Sequence, residues 1–270
     1  MTLSQGRRTA GRYLDESEAA RLWGRLTALD FFGNSFQLAS LAILCFFPFL
    51  IVVSSAAGRN AAEVLSGWLA LDQQAAQAVA TLFAPEAGFG TLTLASAFLL
   101  VLGAMAIAGV LQQWYARVFE VPGAGWRRIV AQLCWLATLL AYGAVQTATG
   151  RLLGGMGGPV LQGLAGLALA TLFWWWSMYV LLVGAIRWRV LLPSALATGV
   201  CWVGLGAFSA HFFSDAIVSG EQNYGAIGVM MIILSWLVAV GVVIHLGSVV
   251  GGLYVEHRAA GGDQREGRRA

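Results

Sequence analysis

Long apolar runs separated by short polar joints dominate this chain. Six such runs stand at 31–55, 91–114, 129–149, 160–186, 193–213 and 225–254. A helix rising ~1.5 Å per residue needs ~20 residues to cross a ~30 Å hydrocarbon core, and each run reaches that length. The pattern predicts an all-α polytopic membrane protein, a bundle of six transmembrane helices over residues 31–256. Residues 193–254 read as a hairpin, with Pro193–Phe213 and Gly225–Tyr254 as arms and the polar stretch Ser214–Tyr224 as the turn.

The flanking segments have their own periodicity. Residues 1–30 form a basic tail that ends in an amphipathic stretch. Asp15 and Glu18 have capping-box spacing, and Leu22, Leu26 and Leu29 recur at i, i+4 and i+7 beside Trp23, Arg21 and Arg25. This is an interfacial helix on the cytoplasmic leaflet or an ordinary helix packed on the bundle. The long first loop, Ala56–Gly90, has an Ala/Leu-rich middle at Ala61–Phe83, expected to be helical and to lie against the outer end. Residues 257–270 are a charged tail.

Composition and charge sharpen this picture. The chain is 59% hydrophobic and 11% charged, against roughly 25% charged in an ordinary soluble domain. All 16 bases are arginine, and they alternate between loops. Fourteen fall on the N-tail, the second and fourth loops and the C-tail; Arg59 and Arg151 alone fall on the other side. By the positive-inside rule both termini face the cytoplasm. Because the arginines are scattered over segment ends, they read as topology signals, and no nucleic-acid partner is expected. Residues 1–30 lack a short apolar core with a cleavage site, so no cleaved signal peptide is expected. Cys45, Cys134 and Cys201 all lie inside apolar runs and read as packing residues.

A set of short motifs carries a family resemblance. Leu38-Ala39 leads into Phe46-Phe47-Pro48-Phe49-Leu50, and Gln112, Tyr115 and Val121 follow the second run. Arg187-Trp188-Arg189, Leu192-Pro193, Asn223-Tyr224-Gly225-Ala226-Ile227-Gly228 and His245-Leu246-Gly247 mark the C-terminal half. In order and spacing, over roughly Asp30 to Glu256, these resemble the YihY/BrkB family of six-span bacterial inner-membrane proteins, some of which once carried a ribonuclease label. The chain departs from that pattern at Cys45, Gln112, Ser194 and Ser248. The resemblance implies a multi-pass protein of the bacterial inner (cytoplasmic) membrane. It also implies a transporter-like function, with envelope lipids or amphiphiles as the substrate class.

Polar residues within the runs sort by depth. Asn34, Gln37, Gln112, Gln132 and His245 lie toward the inner end and form a candidate polar vestibule. His211, Asp215 and Glu221 lie toward the outer end and form a candidate mouth, with His211 and Asp215 at pairing distance along one helix. The plainer reading is hydrogen-bonded glue between helices. No acid or base stands at the middle of a run, where coupled pumps keep them. The three histidines lie at different depths, and no P-loop, GxSxG or HExxH motif is present, so neither catalysis nor a metal or other cofactor is expected. Trp174-Trp175-Trp176 sweeps ~200° of helix, so one ring should face protein and another lipid. Gly247-x-x-x-Gly251 and Ala195-x-x-x-Gly199 permit close helix contact, inside the chain or in a homo-oligomer. The second functional reading is therefore a scaffold that binds membrane-protein partners through glycine-lined faces; in either reading membrane lipids surround the bundle.

Overall fold

A computed structural model describes residues 20–57, 74, 77, 94–122, 125–153 and 159–266. Within these the chain is all-helical. Helix α1 is Ala20–Ala28. Then come α2 Phe31–Ala57, α3 Leu94–Val118, α4 Arg127–Leu153, α5 Pro159–Leu181 and α6 Trp188–Glu266. Among the described residues, four stretches are long and apolar enough to cross a membrane: Phe98–Val118, Gln162–Leu181, Trp188–Ser209 and Ile227–Tyr254. The bent pair α1 and α2 makes a fifth if taken as one span. Apolar side chains cover both faces of these helices: Leu111 and Met178 are buried, while Phe98, Leu164, Leu196 and Val200 are exposed. Helices that are apolar all round belong in a lipid solvent. The chain is an integral membrane protein.

The helix ends are set by backbone geometry as much as by polarity. The Asp30 carboxylate accepts from the Gly33 N–H (3.3 Å) and starts α2, which leaves α1 at 55°. α3 ends with Glu120 in the left-handed region (φ 54°) and the Val121 N–H on the Ala116 carbonyl (2.9 Å). α5 ends in the same way. Val183 is left-handed (φ 55°), its N–H reaches the Val180 carbonyl, and the Gly184 N–H reaches that of Tyr179 (3.0 Å). The fourth apolar run, expected to continue to 186, therefore stops as a helix at Leu181.

The hairpin differs from its expectation. Ser214–Tyr224 is helical, and α6 turns only at Gly225 (φ 59°, ψ −142°). Its first arm, residues 188–224, is about 37 residues and ~55 Å long. The polar residues at 214–224 do not break the helix because side-chain polarity leaves backbone hydrogen bonds intact. Reversal requires the left-handed backbone that glycine adopts freely. The arms pack antiparallel through small residues. A Cβ on Gly247 would meet the Thr198 backbone, one on Gly251 the Ser194 backbone, and one on Gly228 the Gly220 carbonyl. Between these points Trp236 Nε1 donates to Ser209 Oγ (2.6 Å). Both Gly247-x-x-x-Gly251 and Ala195-x-x-x-Gly199 are thus spent within the chain, since Gly199 lies against Thr171 of α5.

The remaining contacts arrange the helices in a bundle. α2 packs on α3 and on the second arm of α6, α4 packs on α3 and α5, α5 packs on the first arm of α6, and α3 also reaches across to α5 and α6. Gly103 seats Cys45 Sγ between α3 and α2, and Gly241 seats the Ser35 backbone between the second arm and α2. Cys45 is a packing residue as expected, whereas Cys134 is exposed; all three cysteines are free thiols. α1 lies on the bundle through buried Leu26 and half-buried Leu22 and Leu29. Asp15, Glu18 and the first-loop helix at 61–83 lie outside the described residues, Gln74 and Gln77 apart.

Candidate functional site at the arginine-rich end

Three joins meet at one end of the bundle: α1 with α2, α3 with α4, and α5 with α6, beside the C-terminal part of the second α6 arm. This end holds Arg25, Arg117, Arg127, Arg128, Arg187 and Arg189. It also holds nearly every buried polar side chain of the described residues. They form three knots.

The first knot joins α2, α3 and the second arm of α6. Ser35 Oγ donates to the Phe31 carbonyl (2.9 Å) and contacts His245 Nδ1 (2.9 Å). With its one proton on Phe31, Ser35 is an acceptor toward His245, so Nδ1 carries the imidazole proton. Nε2 is then a buried lone pair, and it has no partner. The Trp114 ring lies 4.2 Å from the imidazole between centroids, and its Nε1 donates to Ser248 Oγ (2.8 Å). Ser248 Oγ donates to the His245 carbonyl (2.7 Å), and Ser194 Oγ donates to that of Ser248 (3.3 Å).

The second knot centres on Gln112. Its Nε2 donates to the Leu181 carbonyl (2.7 Å), and its Oε1 accepts from Gln132 Nε2 (3.1 Å) and Arg128 Nε (3.3 Å). One side chain thus ties α3 to the end of α5 and the start of α4. In the third knot, Asn34 Nδ2 donates to the Asp30 and Leu29 carbonyls (2.7 and 3.1 Å). Arg117 donates to Asn34 Oδ1 (3.0 Å), and Arg25 reaches the Val118 carbonyl (3.4 Å).

Of the five residues expected to line a vestibule, Asn34, Gln112, Gln132 and His245 come to one end, where they are tied into these hydrogen-bonded knots. Gln37 is not among them: it is exposed, while Asn34 is 4% exposed. A step of three residues rotates ~60° around a helix, and here that step crosses the bundle edge. The sequence reading missed Ser35, Ser194, Ser248, Trp114 and Arg117. Serines are common in spans and carry no signal alone, and only the fold brings them opposite their partners. At the other end Asp215 is exposed and Glu221 half-buried. Six residues apart on a helix, they point about 120° from each other and do not converge. The side chain of His211 lies outside the described residues.

The tryptophan run divides as its spacing predicts. Trp174 is buried against Trp202 (5.4 Å), Trp175 stacks on Trp188 (5.0 Å, 21°), and Trp176 is half-exposed, donating to Thr138 Oγ1 (3.1 Å). Three further buried polar atoms lack partners: Tyr115 Oη, Thr171 Oγ1 and Trp174 Nε1. Among the described residues, no three His, Cys, Asp or Glu side chains stand close enough to share a metal ion. No family model, no curated protein and no solved structure matches this chain.

Proposed function

We propose that this integral membrane protein is a six-span transporter-like bundle of the YihY/BrkB type in the bacterial inner membrane, with both termini cytoplasmic. Its substrates are lipids or other amphiphiles of the envelope, and it is not an enzyme. One observation carries this reading: the bundle keeps four buried polar atoms unpaired, on Tyr115, Thr171, Trp174 and His245. Unpaired buried polar groups cost stability and call for a reason, and a polar path between the helices supplies one. The three knots then act as an inner latch, closed in this conformation. Gly247, Gly251 and Gly199 pack within the chain, so a scaffold would have to use other glycine faces, such as those of Gly163, Gly166, Gly204 and Gly206, which stand open.

The test is lipid scrambling and amphiphile efflux in liposomes containing the purified protein, with an Asn34→Leu/Ser35→Ala/His245→Leu variant alongside. The reading expects activity in the parent and altered activity in the variant. A folded, inserted parent that moves neither lipid nor amphiphile would overturn it.

A further inference from the structure

We infer that the α3–α4 and α5–α6 joins together form a docking site for the headgroup of an anionic phospholipid of the surrounding leaflet. The proposal rests on the membrane-spanning reading but not on transport, since it concerns a lipid that stays at the rim.

The two joins each carry one tryptophan with two arginines, Trp126-Arg127-Arg128 and Arg187-Trp188-Arg189, far apart in sequence. Gln112 brings them together. Its amide holds Arg128 Nε on one side and the Leu181 carbonyl, where the second join begins, on the other. Trp126 and Trp188 are 77% and 53% exposed, and Arg127, Arg187 and Arg189 are exposed beside them. Indoles at this level suit the headgroup zone of a bilayer.

Helix polarity argues that an anion belongs here. α4 begins at Arg127 and α6 at Trp188, and neither has an acid in its first turn. A helix amino terminus carries roughly half a positive charge and favours acids. Here arginines stand at two such termini, so like charges repel with no acid in either first turn to offset them. Of the acids on the joins at this end, Asp30 caps α2 and Glu120 faces Arg25 at 3.9 Å. An external anion relieves the repulsion.

The site is also preorganised. Arg189 lies over Trp188 (5.6 Å), Trp188 stacks on Trp175, and Trp175 Nε1 donates to the Trp188 carbonyl (2.6 Å). A guanidinium stacked on an indole keeps its N–H edge free for phosphate oxygens. The turn that delivers this stack holds Val183 and Gly184 in succession in the left-handed region. These two left-handed residues set the direction in which the chain leaves α5 toward Arg187 and Arg189.

The test uses the full-length protein in neutral detergent, followed by thermal unfolding, with phosphatidylglycerol or phosphatidylcholine titrated into the micelles. Phosphatidylglycerol is expected to raise the unfolding temperature saturably and phosphatidylcholine is not. Each surface arginine contributes about fivefold to anionic-lipid affinity, so Arg187→Gln weakens the response about fivefold and Arg127→Gln/Arg187→Gln/Arg189→Gln about a hundredfold. Arg151→Gln, an equal charge loss at the other end of α4, leaves it unchanged. Equal stabilisation by phosphatidylcholine would overturn the proposal, as would a full response in the Arg187→Gln protein. Reproduction of the effect by glycerol phosphate alone would also overturn it, because the site would then take a soluble anion. Should the triple variant fail to fold, the parent's response in high salt decides: it collapses if the contact is electrostatic.

Discussion

Ser35 and His245 stand 210 positions apart in the chain and meet at 2.9 Å, a hydroxyl against a ring nitrogen. The bond fixes the register of α2 on the second arm of α6, and it fixes which imidazole nitrogen is left unpaired. Removing one partner of a buried hydrogen bond costs more than removing both, because the survivor keeps its desolvation penalty. Ser35→Ala should therefore lower unfolding free energy by about 1–3 kcal/mol, since it leaves both nitrogens of His245 without partners. In a double-mutant cycle with His245→Leu the two losses should fall short of additivity. Equilibrium unfolding in mixed micelles reads both.

Gln112 and Gln37 offer a matched pair of glutamines. Gln112→Leu strands the Leu181 carbonyl and leaves Arg128 and Gln132 without their acceptor, and should cost about 1–3 kcal/mol or more. Gln37→Leu, on an exposed position, should stay within about 0.5 kcal/mol of the parent. The same unfolding experiment separates the two.

Glycine substitutions should split by location. Gly251→Ala and Gly247→Ala drive a methyl group into the facing backbone of the first arm, and should destabilise by about 1–3 kcal/mol. Gly163→Ala and Gly204→Ala have open space around them and should be neutral or stabilising by about 0.5–1 kcal/mol through helix propensity alone. A uniform response across all four would mean that the arms are not in close contact.

The reversal of α6 depends on one backbone angle. Gly225→Ala places a Cβ at φ 59°, ψ −142°, a combination nearly confined to glycine, at a cost of about 1–3 kcal/mol, while Gly204→Ala, with open space around it, should leave the tip unchanged. Limited proteolysis at the tip, compared between the two variants, reports the difference.

Accessibility of single cysteines tests the sidedness. In a chain with Cys45, Cys134 and Cys201 replaced by serine, Asn223→Cys should react with a membrane-impermeant maleimide added to intact spheroplasts. Ala28→Cys should react only after permeabilisation. Labelling of both from the same side would break the proposed six-span arrangement.

Much of the fold was legible because lipid imposes one rule on every span. Backbone groups must bond internally, so a long apolar run has little choice but a helix, and the runs at 31–55, 91–114 and 129–149 coincide with helices α2, α3 and α4 to within a few residues, although α4 is not among the stretches apolar enough to count as a span. The misses are of a different kind. The end of α5 was hidden because Val183 takes a left-handed position where glycine is usual. The hairpin turn was placed too early because Ser214–Tyr224 looks like a loop by polarity, although the Tyr224-Gly225 pair marked the true reversal. At the arginine-rich end, amides and a histidine stood out as candidates, but their actual partners were serines, a tryptophan and main-chain carbonyls. Those partners become visible only when helices far apart in sequence are laid side by side.

The close seating of Gly228 on Gly220, Gly247 on Thr198 and Gly251 on Ser194 runs almost the whole length of the α6 hairpin. Backbones in such contact cannot slide or part without losing packing along ~40 Å at once. The two arms therefore move as one strut. Any opening of the bundle must run along its borders, between α5 and the first arm or between α2 and the second, with the Ser35–His245 contact as the fastening on the latter seam.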